Sequence, residues 1–99
     1  MCGINGFTFQ DKDLIKKMMV FTKNRGPDAN GIFYDNDLTM SHDRLSIIDL
    51  NSRANQPMKF KNYVISFNGE IYNYRELKKN LEQSGSKFST NSDTEVILQ

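Results

Sequence analysis

The chain carries a single cysteine, Cys2, among 99 residues. One thiol cannot close an internal disulfide, so no oxidised framework holds this fold. A run of about 18 apolar residues is missing too, which excludes a transmembrane helix. Neither sign of charge dominates, since 13 Lys+Arg stand against 12 Asp+Glu for a net +1. No nucleic acid and no membrane surface is therefore expected as a partner. Repeats, low-complexity tracts and interdomain linkers are absent, and no Gly-rich phosphate loop occurs. The first residues lack a basic n-region and an apolar h-region, so no signal peptide is read there. A cytoplasmic chain with a free thiol is the expectation.

What is present suits a small globular unit. Hydrophobic residues make up 37% of the chain, aromatics 11%, and the 25% that are charged are spread rather than blocked. That supports a core, although a small one at this length. The chain is one small domain or a piece of a larger one. Residues 2–9 alternate loosely through Ile4, Phe7 and Phe9 and read as a strand. Leu14, Ile15, Met18, Met19 and Thr22 recur at helical spacing between Asp11 and Asn24. Arg25-Gly-Pro-Asp28 ends that helix, because proline disfavours αR at the residue before it.

Strands are expected at Gly31–Tyr34 and Leu38–Ile48, joined at Asp35-Asn-Asp37. Asn51–Pro57 reads as a polar loop, and Met58–Phe60 with Tyr63–Phe67 as a hairpin about Lys61-Asn62. A second helix is predicted over Asn73–Ser84 with Gly85 as its C′ residue. Lys87–Thr90 reads as a short strand. Ser92-Asp-Thr-Glu95, followed by Val96, Ile97 and Leu98, is a capping-box pattern opening a third helix. Fewer than two turns remain for that helix, so the chain is expected to be a fragment.

A cysteine directly after the initiator methionine invites a chemical reading. Its small side chain permits removal of Met1, which places a free α-amine beside the thiol. In model peptides such an amine titrates near about 7.7–8.0 and a thiol near about 8.5, so both are poised near neutrality. The amine can then serve as general base for its own thiol. Taken alone, position 2 reads better as a small side chain buried in a first strand. A redox-sensing thiol is the weaker alternative, because no resolving cysteine exists.

Six motifs in order decide more than one residue does. They are Cys2-Gly-Ile, Arg25-Gly-Pro-Asp28, His42-Asp-Arg-Leu-Ser-Ile-Ile-Asp-Leu50, Asn55-Gln-Pro-Met58, Asn68-Gly-Glu-Ile-Tyr-Asn73 and Asn91-Ser-Asp-Thr-Glu95. Together they resemble the class II glutamine amidotransferase domain of glutamine-hydrolysing asparagine synthetase, from residue 2 to the end. Two positions depart from the pattern. Asn24 stands where the family often has His, and Asp43 where a second basic residue is common; both bear on subfamily and affinity rather than on chemistry.

The resemblance implies a site. Cys2 is its nucleophile, and Asn68 with Gly69 forms its oxyanion hole. Arg44 holds the glutamine α-carboxylate, for which a planar guanidinium is suited. The backbone of Leu45, Ser46, Ile47 and Ile48 lines the same pocket, and Glu70 and Asp93 receive the substrate ammonium. Taken alone, Arg44 reads as a solvated strand arginine, Asn68-Gly69 as a hairpin turn, and Asp93 as a first-turn helix acid. His42, the only histidine, reads as structural.

The implied fold is α+β: the N-terminal-nucleophile hydrolase αββα sandwich, of which residues 1–99 supply the first part as a partial type-2 amidotransferase domain. The implied function is hydrolysis of glutamine to glutamate and ammonia through a Cys2 thioester. Ammonia then feeds ATP-dependent asparagine synthesis from aspartate in the full-length enzyme. No cofactor or metal is expected in this segment; ATP and Mg belong to the missing synthetase domain. Glutamine and that domain are the expected partners, with a homodimer possible at full length. The alternatives are a non-catalytic glutamine-binding module or remnant, or the amidotransferase part of a polysaccharide- or antibiotic-pathway homologue. With sheet faces left uncovered, the isolated chain is expected to be poorly stable and inactive.

Overall fold

A computed structural model describes all 99 residues. Its organising element is a strand at Thr39–Arg44, which pairs antiparallel with Gly3–Phe7 on one side and Ala29–Tyr34 on the other. In chain order these are β1 (Gly3–Phe7), β2 (Ala29–Tyr34) and β3 (Thr39–Arg44), so the sheet order is β1-β3-β2. A second antiparallel pair joins β4 (Met58–Phe60) to β5 (Tyr63–Ile65). Three helices complete the set: α1 (Lys12–Thr22), α2 (Tyr74–Gln83) and α3 (Asp93–Leu98). The result is a small α+β fold with antiparallel sheets.

Alternation along β3 sends its side chains to two faces. Thr39, Ser41 and Asp43 face α1, and all three are buried. This interface is tied by hydrogen bonds more than by apolar contact. Asn5 Nδ2 donates to Thr22 Oγ1 at 2.9 Å and to Ser41 Oγ at 3.2 Å. Thr22 Oγ1 donates to Asp43 Oδ2 at 2.6 Å, and Thr39 Oγ1 to the Phe9 carbonyl at 2.7 Å. A helix laid on such a surface is held because every buried polar group finds a partner. Ile15 is the one α1 side chain fully buried there, while Phe21 at the helix end is 86% exposed.

The cap of α1 is Asp11, whose carboxylate accepts from the Leu14 N–H at 2.9 Å. After the helix the chain must return close to β3, and Gly26 makes that possible. A Cβ at position 26 would lie 1.9 Å from the Asp43 carbonyl oxygen. Two residues later the Asp28 N–H donates to the Arg44 carbonyl at 2.9 Å and starts the β2–β3 register.

Several sequence expectations change here. The strand expected to reach Ile48 stops at Arg44, because the following carbonyls turn back toward the Arg44 side chain. The loop over Asn51–Pro57 contains a 3-10 turn at Ser52–Ala54. Lys87–Thr90 is not a strand: the N–H groups of Ser89 and Thr90 donate to the Glu95 carboxylate instead of to a neighbouring chain. The capping box is also incomplete. Ser92 Oγ accepts from the Thr94 N–H at 3.2 Å, but Glu95 reaches past Ser92 to residues 89 and 90. The end of α2 matches its expectation, with Gly85 at φ 101° and the Ser86 N–H donating to the Leu81 carbonyl at 2.9 Å.

The interior is short of apolar side chains. Only Ile15, Ala54, Met58 and Val96 are buried, against eleven polar or charged residues. No helix is long and apolar enough to cross a membrane.

Gly26→Ala forces backbone away from backbone and is expected to cost about 1–3 kcal/mol, as overpacking does. The control is Gly6→Ala, whose added methyl would meet nothing closer than 3.5 Å. Urea unfolding should show a lowered midpoint for the first variant and little change for the second.

Candidate functional site

The second face of β3 carries Met40, His42 and Arg44, and Arg44 lines a cleft there. Its volume is about 520 Å³ including the open mouth. Cys2 lies at its edge, immediately before β1. The Cys2 Sγ accepts from the Leu45 N–H at 3.3 Å and lies 3.8 Å from the Leu45 carbonyl oxygen. A residue 43 positions away therefore orients the thiol. Met1, 58% exposed, also lines the cleft.

The Arg25-Gly-Pro-Asp28 motif gains a role that reading the sequence did not assign. Arg25 Nε donates to the Cys2 carbonyl at 3.1 Å, and the Asp28 carboxylate accepts from the Ser46 N–H at 2.7 Å. These two charged residues brace both sides of the Cys2–Leu45 contact. The available signal was their placement either side of a Gly-Pro pair that bends the chain.

Arg44 is only 5% exposed and spends its side chain on the loop that follows it. Nη1 donates to the Asn51 carbonyl at 3.1 Å and to Asn55 Oδ1 at 2.8 Å. Nη2 donates to the Ile48 carbonyl at 3.0 Å and to the Asp49 carbonyl. With its terminal N–H groups engaged, Arg44 offers Nε and its charge rather than a free two-pronged fork. Asp43, one of the departures noted in the sequence, faces α1 and lies outside the cleft.

The loop gathered by Arg44 reaches across the site. Asp49 sits at φ 53°, and its carboxylate accepts from the Asn91 N–H at 2.6 Å and the Asn51 N–H at 3.0 Å. The Asn91 N–H holds the Asp49 carboxyl below the usual range; slight burial opposes this, while Asn51 and the Arg44 and Arg53 charges assist. Beyond Asn91, Asp93 is buried at the start of α3, with Oδ2 accepting from the Ile71 N–H at 3.0 Å. Glu70 lies nearby on the same cleft and is exposed.

Asn68 and Gly69 follow β5 in a segment without strand pairing. The Phe67 N–H donates to Gln56 Oε1 at 2.6 Å, and the Phe67 carbonyl accepts from His42 Nε2 at 3.0 Å. A Cβ at Gly69 would lie 2.8 Å from the Phe67 ring, so a side chain there requires that ring to shift. His42 is fully buried, and burial foremost lowers its pKa, leaving a neutral imidazole with the proton on Nε2. His42 Nδ1 and Asn68 Oδ1 are the buried side-chain polar atoms without a protein partner.

The cleft thus gathers Cys2, Arg44, Leu45, Ile47, Ile48, Asn68, Gly69, Glu70 and Asp93. Ser46 is the expected site residue that does not line it; its N–H is turned to Asp28 instead. Gln56 and Thr94, which belong to the quoted motifs but were assigned no site role, also line it, and Gln56 Nε2 donates to Thr94 Oγ1 at 3.1 Å.

Glu95 holds the segment that carries Asp93 into the cleft. Burial pushes its pKa up, but hydrogen bonds from the hydroxyls and N–H groups of Thr90 and Ser89 outweigh that and hold the carboxyl low. The unfolded chain then takes up this proton first. The stabilisation is present above the ordinary value of 4.5 and is lost as pH falls through the lowered one. Glu95→Gln should lower the urea midpoint at neutral pH and flatten its decline between about pH 6 and about pH 3. An unchanged acid limb would contradict this assignment.

A profile of the glutamine amidotransferase domain matches residues 1–99. Asparagine synthetase [glutamine-hydrolyzing] 1 of Bacillus subtilis is 44% identical, over 99% of this chain and 17% of its own length. The putative asparagine synthetase [glutamine-hydrolyzing] 2 of Methanocaldococcus jannaschii is 39% identical, over 100% and 23%. Asparagine synthetase B of Escherichia coli is 39% identical, over 99% and 19%. The chain spans less than a quarter of the length of these relatives. With the family profile covering its full extent, this chain belongs to the glutamine amidotransferase domain family.

Proposed function

We propose that this domain hydrolyses the side-chain amide of glutamine, with Cys2 as nucleophile. The observation that carries the proposal is convergence. A thiol, an Asn-Gly pair, an arginine and two carboxylates from four separated stretches of chain meet in one cleft. Removal of Met1 opens the cleft mouth and converts the Cys2 N–H into a free α-amine, which takes the thiol proton. The thiolate attacks the amide carbonyl. Asn68 Nδ2 and the Gly69 N–H donate to the tetrahedral oxyanion. Collapse breaks the C–N bond, the amine returns its proton to the departing ammonia, and water cleaves the γ-glutamyl thioester to glutamate.

Arg44 attracts the substrate α-carboxylate through Nε and its charge, beside the Leu45–Ile48 backbone. Glu70 and Asp93 supply negative charge for the α-ammonium. In the longer protein that the relatives exemplify, the ammonia serves ATP-dependent synthesis of asparagine from aspartate in a separate synthetase domain. ATP and Mg would bind there, and a full-length homodimer accompanies that reading. Residues 1–99 would then be the first part of an αββα sandwich, with the present sheets as part of its central layers.

The competing reading is a glutamine-binding module without turnover. It is favoured by one observation, that loop carbonyls and Asn55 occupy the terminal N–H groups of Arg44. A glutamine-like chloroketone separates the two. Intact mass should show loss of the initiator methionine and one label on Cys2, with labelling slowed by L-glutamine. Asn68→Ala should slow it by about 10²–10³, the loss typical of one oxyanion donor. Glutamine protection without a Cys2 adduct would support the binding module. Labels spread over other nucleophiles would overturn the proposal.

A further inference from the structure

Oxyanion donors act only if they are held in place before charge develops, and here the holding is unusual. Phe67, the residue before Asn68, has both backbone polar groups satisfied by side chains and neither by a strand. Gln56 Oε1 accepts its N–H at 2.6 Å, and His42 Nε2 donates to its carbonyl at 3.0 Å. Both side chains are buried, Gln56 at 8% exposure and His42 at 0%. Each is anchored in turn. His42 lies on the central strand β3, between Ile4 and Gly31 in the sheet register. Gln56 donates its other amide group to Thr94 Oγ1, one residue from Asp93.

We infer that His42 and Gln56 are positioning residues that clamp the Phe67 backbone and so aim Asn68 and Gly69 at the oxyanion. Geometry supports this in two ways. The segment at 66–69 has no β-ladder to hold it, so removal of either side chain leaves a partly buried backbone group without a partner. The tip of the Phe67 ring also packs over Gly69, 2.8 Å from where a Cβ would lie, so the placement of Phe67 bears on Gly69. The Phe67 carbonyl can only accept, so His42 Nε2 carries the proton, which the neutral imidazole supplies as its Nε2–H tautomer. The same Gln56 side chain couples the clamp to α3, so the donor pair and the Asp93 carboxylate share one support.

The inference rests on the proposed glutamine chemistry, and its test uses two electrophiles on the 99-residue chain. Iodoacetamide alkylates a thiolate by direct displacement and forms no oxyanion. A glutamine-like chloroketone reacts through a carbonyl addition that uses the oxyanion donors. His42→Leu and Gln56→Leu should slow chloroketone labelling of Cys2 by about tenfold or more, while iodoacetamide alkylation stays within about twofold. His42→Gln places an amide Nε2 at the same bond distance from Cβ as the imidazole Nε2, and should restore most of the chloroketone rate.

Equal loss with both reagents in His42→Leu, together with no recovery in His42→Gln, would reduce both residues to general structural support and overturn the inference. So would unchanged chloroketone rates in both leucine variants. Failure of the wild-type chain to label at Cys2 is a different result, and it overturns the glutamine reading together with this one. Loss of folding in a leucine variant shows in the iodoacetamide rate and in circular dichroism. His42→Gln against wild type then decides the matter: a rate within about threefold supports the clamp, and a loss beyond tenfold with normal alkylation contradicts it.

Discussion

A guanidinium taken out of water must have its N–H groups answered, and in this chain that requirement shapes the site. Arg44 ends the central strand and is answered by the carbonyls of Ile48, Asp49 and Asn51 and by the Asn55 amide oxygen. Bringing four acceptors to one planar group forces residues 45–55 to wrap around it. The wrap turns the Leu45 N–H to the Cys2 sulfur and sends the Asp49 carboxylate to Asn91. The thiol, the carboxylate of Asp93 and the loop between them are thus positioned by one buried cation.

The same logic runs through the interior. With four buried apolar side chains against eleven polar ones, hydrogen-bond completeness outweighs apolar burial in defining the fold. Thr22, Asn5, Ser41 and Asp43 tie α1 to the sheet, and Glu95 gathers the Ser89–Thr90 segment. A polar interior of this kind specifies geometry well but contributes less free energy than apolar burial of the same area. Exposed Phe21, Leu50 and Tyr72 show how much apolar surface remains uncovered.

Much of this was legible in the residues. The helical period of Leu14–Thr22 placed α1 to within a few residues, and the Ser84–Gly85 stop of α2 followed from glycine chemistry. The ordered motifs identified Cys2, Arg44, Asn68, Gly69 and Asp93, which share a cleft. What escaped was long-range in sequence. Apolar periodicity could not show that β3 would stop at Arg44, because the cause is acceptors four to eleven residues away. A strand was expected at Lys87–Thr90 from local composition, but a carboxylate five or six residues on claims those N–H groups. Arg25, Asp28 and Gln56 stand in the ordered motifs but have no role of their own until their partners, 11 to 23 residues away, are in place.

The proposed chemistry requires that the cleft beside Cys2 be a glutamine site. Its most direct test is a backbone-amide NMR titration of the Met1-processed chain carrying Cys2→Ala, which removes the nucleophile and so any turnover. L-Glutamine should perturb Leu45–Ile48, Asn68–Glu70 and Asp93–Thr94 together with a single affinity, and D-glutamine should not. Perturbations absent from these three segments, or identical for both enantiomers, would contradict it.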